Sequence, residues 1–278
     1  MSDVPVEVLQ AGPRPTMSHC KGIIVFLHGW PDTNAVWHEQ IEFFSKHKYH
    51  CVCLSLPGYS GYVPSESWGM DFPEVRDLLI TAIKTVSDDQ PVHLVAHDWG
   101  TIFAYMIERK SPGLVKTLTT VDVGAKVKLS STLAKLMVPA YQLWLVSAFL
   151  IGNIVPVIGK PIGDTMTSLC AKYYAHAPDF SPNHGSHINY LYFYVWKALL
   201  LGGTGGTTYL KHYSPSRPTL YCYGSAKPFQ LHAKSWVKEL QDRDDCQVKA
   251  FDCGHWVQVD KADELSETIL DFITTHTK

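Results

Sequence analysis

The sequence predicts an α/β fold, a mostly parallel sheet flanked by helices, with a helical cap inserted between two of its strands. Three observations carry this. Short apolar runs alternate with stretches of helical periodicity from Gly22 to Val121. That rhythm disappears from Gly124 to about Tyr213, where the sequence is aromatic-rich and reads as helix. It resumes at Pro218 and runs to the end. The expected organisation is a core of residues 1–124 and 214–278 with a cap of residues 125–213.

The first strand is Gly22 to Leu27, ending in His28-Gly29-Trp30-Pro31-Asp32. A helix over Trp37 to Lys46 places Trp37, Ile41 and Phe44 on one face. The strand Tyr49 to Leu56 ends in the turn-rich Pro57-Gly58-Tyr59-Ser60-Gly61-Tyr62. A helix from about Phe72 to Val86 follows, then the strand Val92 to Ala96, Asp98, the helix Gly100 to Arg109 and the strand Val115 to Val121. In the cap, Leu136 to Gly159 are 24 uncharged residues, enough to span a bilayer. Pro139, Gln142, Gly152, Asn153 and Pro156 interrupt the run and it lies mid-chain between core elements, so two shorter helices over a cavity are favoured over one spanning helix, with loose membrane contact left open. Gly202 to Thr208 reads as a flexible run near the end of the cap. After it come the strand Pro218 to Gly224, the helix Ala233 to Leu240, the strand Gln247 to Asp252 and a final helix over Ala262 to Thr274.

Composition narrows the partners. A formal net charge of -2 without a basic run argues against nucleic acid and for a small, uncharged ligand. Met1 to Gly12 has no basic segment followed by an apolar one, so a cytoplasmic, reducing setting is expected. Seven cysteines, with Cys51 and Cys53 alternating on one strand, read as small core residues and not as a metal or disulfide framework.

Asp98 is the residue with chemistry in its setting. Val92 to Ala96 breaks at His97-Asp98-Trp99-Gly100 and re-enters a helix, the context of a nucleophile elbow, but with a carboxylate where serine would stand. A carboxylate attacking a saturated carbon gives an alkyl ester that water can cleave; against a carbonyl it would give an anhydride. The position therefore points to epoxides or alkyl halides. The bland alternative is a helix N-cap, for which aspartate is favoured.

His28-Gly29-Trp30-Pro31, His97-Asp98-Trp99-Gly100, the insertion after Asp122 and Gly254-His255-Trp256 after the last strand together resemble the α/β-hydrolase superfamily, in particular its epoxide hydrolase branch, over nearly the whole chain. The resemblance implies Asp98 as nucleophile, with the backbone N–H groups of Trp30 and Trp99 as oxyanion hole. His255 would activate the hydrolytic water. The third acid departs from the usual pattern: where many relatives carry it after the strand Pro218 to Gly224, this chain reads Gly224-Ser225-Ala226-Lys227. Asp122 is the first alternative, Asp252 the second and a dyad the third. Cap tyrosines hold the epoxide oxygen in such enzymes, which points to Tyr141 and Tyr190.

The function these residues imply is cofactor-independent, metal-free hydrolysis of a hydrophobic epoxide to a vicinal diol. Dehalogenation of a haloalkane or haloacid is the enzymatic alternative, with indoles at Trp30 and Trp99 to cradle halide. A catalytically weak, ligand-binding relative is the other, with Lys227 as its support.

Overall fold

The computed structural model describes residues 6–59, 68–129, 131–178, 185–202 and 209–277. Met1 to Pro5, Ser60 to Tyr62 and most of the Gly202 to Thr208 run lie outside the described residues. Among the described residues, seven strands form one sheet in the order β1-β3-β2-β4-β5-β6-β7. They are β1 Val8–Ala11, β2 Ile23–Leu27, β3 His50–Leu54, β4 Val92–His97, β5 Val115–Val121, β6 Thr219–Gly224 and β7 Cys246–Phe251. β1 runs antiparallel to β3 and the other pairs are parallel. β1 had no sequence signal: Val-Leu-Gln-Ala is short and only partly covered, and pairing to the edge of β3 makes it a strand.

Every residue of β2, β3 and β4 is buried, because helices cover both faces of the sheet. Successive side chains point to opposite sides. Val25 and Leu27 join one core cluster, Ile24 and Phe26 the other. Cys51 and Cys53 both join the second cluster, as their alternation on one strand implies. Among the described residues, the α-helices of this first half are α1 His38–Lys46, α2 Phe72–Ser87 and α3 Trp99–Lys110. Asp71 and Glu74 close a reciprocal capping box that starts α2.

Among the described residues, three further α-helices lie between β5 and β6: α4 Thr132–Ile154, α5 Pro156–Leu169 and α6 Tyr190–Leu201. The apolar run expected as two shorter helices is mostly one long helix, and the break comes late. Pro139 costs α4 one hydrogen bond without stopping it. Pro156 does stop it, because Val155 is pushed to φ -125° and ψ 68°, outside the helical region. α5 then folds back against α4, with Gly163 so close that a Cβ there would lie 2.4 Å from the Ala148 carbonyl oxygen. The second half of the core adds α7 Lys234–Gln241, α8 Val257–Asp260 and α9 Ala262–Thr275.

Candidate active site

The chain turns from β2 to β3 on one side and from β4 to β5 on the other, so the loops after β2 and β4 face each other at the carboxyl edge of the sheet. Such a switch point leaves a crevice where ligands bind. Asp98 stands in it at φ 51° and ψ -120°, a conformation rare for a residue with a side chain. Its side chain makes no capping hydrogen bond to α3, so it is not spent on the helix. Oδ1 accepts the Trp30 backbone N–H at 2.8 Å. Gly29 makes that approach feasible: a Cβ there would fall 2.3 Å from the Asp98 Cβ.

His255, in the loop after β7, brings Nε2 to 3.6 Å from Asp98 Oδ2. Its Nδ1 is hydrogen-bonded to Oδ2 of Asp122, which is fully buried and, like Asp98, has a positive φ, 76°. Of the acids expected from the sequence, Asp122 is the one in contact with His255, while Asp252 is exposed beyond β7. Lys227, in the position after β6 expected for the acid, pairs its ammonium with both oxygens of Asp122. The Gly224 N–H also donates to Asp122, at 3.1 Å. Burial alone would raise the Asp122 pKa, but the charges of His255 and Lys227 overcome it and hold the carboxyl well below its ordinary range. For His255 burial pulls the pKa down; Asp122, by charge and hydrogen bond, and then Asp98 outweigh it, and the net shift is upward from 6.5.

Three residues that the sequence reading left without a role fix this loop. His97 Nε2 lies 3.0 Å from the His255 carbonyl oxygen, the Trp256 indole N–H donates to Asp32, and Asp32 Oδ2 lies 3.7 Å from His97 Nδ1. Asp32 and His97 flank the two motifs read for the oxyanion hole and the nucleophile. Their contact with the third motif is visible only once the loops meet.

The site opens into a cavity of about 700 Å³ lined by Asp98, Tyr141, Tyr174, Tyr192, Lys227 and His255 among others. Tyr141 is there as expected. Tyr190 is not: it is the first residue of α6, buried against Tyr59 and the backbone at Gly69. Two residues on, Tyr192 faces the cavity, edge-on to Trp30, Trp99 and Tyr141. The expectation for Tyr190 fails because α6, apolar apart from Lys197, carries little sequence signal for which of its sides meets the cavity. Burial raises the phenol pKa of both Tyr141 and Tyr192, and the Asp98 carboxylate raises it further. Both therefore stay protonated hydrogen-bond donors.

The α/β hydrolase family model matches residues 24–268. The chain belongs to the α/β-hydrolase family. Curated relatives of this α/β-hydrolase include (E)-2-((N-methylformamido)methylene)succinate hydrolase of Acinetobacter baylyi, 32% identical over 36% of this chain and 36% of that one. Epoxide hydrolase 4 of Homo sapiens is 31% identical over 37% of this chain and 28% of its own length. The matched region spans about a third of these relatives. Among solved structures, a haloalkane dehalogenase variant from Bradyrhizobium elkanii superposes with a TM-score of 0.68 at 18% identity, over 98% of this chain and 93% of its own.

In this α/β-hydrolase Lys227 lowers the His255 pKa through its charge, while Asp122 and Asp98 raise it; the His97 ring lies 4.5 Å away, centroid to centroid. Lys227→Met should therefore raise the pKa of His255 and move the acid limb of the pH–rate profile to higher pH, because the imidazole must be neutral to act as a base. A limb that moves to lower pH would contradict this placement of charges. Tyr192→Phe should lower turnover about 10- to 100-fold by deleting one donor. Tyr190→Phe should leave turnover within about twofold, as its ring packs outside the cavity. Steady-state rates of the two variants, measured side by side, check the assignment.

Proposed function

We propose that this α/β-hydrolase opens hydrophobic epoxides to vicinal diols through an ester on Asp98. The observation that carries the reading is a carboxylate at the elbow, with the His255–Asp122 pair on one side and the Tyr141 and Tyr192 hydroxyl-bearing rings in the same cavity. Oδ2 attacks a ring carbon and the C–O bond breaks, with the leaving oxygen held by the tyrosine hydroxyls. Oδ1 becomes the ester carbonyl oxygen, already in contact with the Trp30 N–H. Esterification also neutralises Asp98 and removes one of the charges that raise the His255 pKa. The imidazole is thus a freer base in the step that needs it. It takes a proton from water, hydroxide adds to the Asp98 Cγ, and the backbone N–H groups of Trp30 and Trp99 receive the oxyanion. Collapse restores the carboxylate as its proton passes to the departing alcohol oxygen, and the imidazolium proton returns to the first alkoxide oxygen by way of the tyrosine hydroxyls, so the diol leaves neutral and His255 is a free base again. The balance is epoxide plus water, and the aromatic cavity suits an apolar substrate.

Halide chemistry is less well served. The Trp30 indole N–H donates to Asn189 at 2.9 Å, and Asn189 is itself held by Thr167, so this indole is engaged elsewhere. The His255–Asp122 contact also removes the main support for a catalytically weak ligand binder, since Lys227 does not displace the acid.

A single turnover of a hydrophobic epoxide in ¹⁸O-labelled water tests the mechanism. The label should appear in the Asp98 carboxylate, with the first diol unlabelled. Label in the diol and none in the Asp98 peptide would refute the covalent route, and halide release from a haloalkane panel without epoxide turnover would refute the substrate class.

A further inference from the structure

Unlike an ordinary surface helix, α4 is apolar on both of its sides. In α4 the inward stripe of Val138, Leu145, Val146 and Phe149 packs towards the core. The outward stripe repeats at helical spacing and is also apolar: Leu133, Leu136, Met137, Leu143, Trp144 and Ile154 are between 36% and 66% exposed. The turn into α5 extends it, with Val157 88% and Ile158 68% exposed. The Trp144 indole N–H bridges to the Met166 carbonyl of α5, so the two helices present one surface. A groove in that surface, lined by Met137, Trp144, Leu169 and Tyr173, shares Met137, Tyr141 and Tyr173 with the wall of the active-site cavity.

Charge indicates what covers this face. Residues 125–213 contain seven lysines, two aspartates and no arginine or glutamate, a formal +5 in a chain whose total is -2. The remainder, which bears Asp98 and Asp122, is formally -7. Lys135 and Lys172 are exposed beside the apolar stripes, and among the described residues neither has an acidic partner in ion-pair contact. We propose that the outer face of α4 and α5 docks on an anionic lipid bilayer. The apolar side chains enter the headgroup boundary and the lysines meet lipid phosphates and carboxylates. The chain lies on the membrane and does not cross it, because the inner stripe of α4 belongs to the protein core. An apolar substrate dissolved in the bilayer then reaches the cavity along the shared groove.

Flotation of the full chain with vesicles tests this without any turnover, so its outcome is independent of the epoxide reading. Binding should be at least about tenfold stronger to vesicles in which phosphatidylserine replaces part of the phosphatidylcholine, and should weaken as salt screens the lysines. The Leu136→Ser/Val157→Ser/Ile158→Ser variant should lose about tenfold in that binding at an unchanged melting temperature. Lys135→Glu/Lys172→Glu, which leaves the apolar stripe intact, should do the same and guards against a folding defect in the first variant. No binding to either vesicle, or equal binding to both, overturns the proposal. So does a dimer in light scattering that the serine variant dissociates, since a second copy would then be what covers the face.

Discussion

His255→Gln should turn over once and stop. Glutamine can fill the space of the imidazole but cannot take a proton from water near neutral pH, while Asp98 keeps its position and its contact with the Trp30 N–H. Ester formation should survive and ester hydrolysis should fall by at least about 10³. Intact-mass measurement after mixing should show the protein heavier by the whole mass of the epoxide, because ring opening expels nothing. A haloalkane would add its mass less that of hydrogen halide. Fragmentation should locate the adduct on Asp98. A variant that turns over at the parental rate, or an adduct elsewhere, would remove His255 from the ester-cleaving step.

Asp122→Ala should show two separable defects. The first is chemical: without a carboxylate on Nδ1 the imidazole loses its orientation and the charge that stabilises its protonated form, and by analogy with other acid–base pairs the rate falls about 10⁴-fold. Ester hydrolysis should suffer more than ester formation, so the alkyl-enzyme should accumulate. The second is structural. Lys227, only 10% exposed at its side chain, would be left with no counter-charge, and breaking a buried pair by removing one partner costs roughly 3–5 kcal/mol. For a chain of this size that is a fall in melting temperature on the order of 6–10 °C. Asp122→Ala/Lys227→Met should regain most of the melting temperature and none of the rate. If the single variant melts like the parent, Asp122 and Lys227 are not a buried pair in solution; if Asp252→Ala does more damage to hydrolysis, the acid is misassigned.

Much of this arrangement was legible in the sequence because it depends on local signals. Buried parallel strands announce themselves as unbroken apolar runs, and each candidate catalytic residue sits directly after one: Asp98 after β4, Asp122 after β5, His255 shortly after β7. What was not legible depends on how elements face each other. α6 is apolar apart from Lys197, and its packing against Tyr59, Trp30 and Trp99 is what shows that Tyr192 and not Tyr190 meets the cavity. α4 ran on through Pro139 because one missing hydrogen bond costs less than burying its inner face against the core returns. Lys227 read as the loss of an acid, since a lysine one strand away from its carboxylate leaves no trace in sequence spacing.

The β5–β6 pairing brings Val121 opposite Cys222, so the ends of these two strands approach the same imidazole from adjacent tracks. What His255 requires is negative charge at a point in space, and either track can deliver it. A rule that looks for the acid only after β6 would file this chain among retired enzymes, because it would meet Lys227 there. The better question for a chain sorted in that way is whether the neighbouring strand ends in a carboxylate, and whether the residue in the vacated position now serves as that carboxylate's counter-ion.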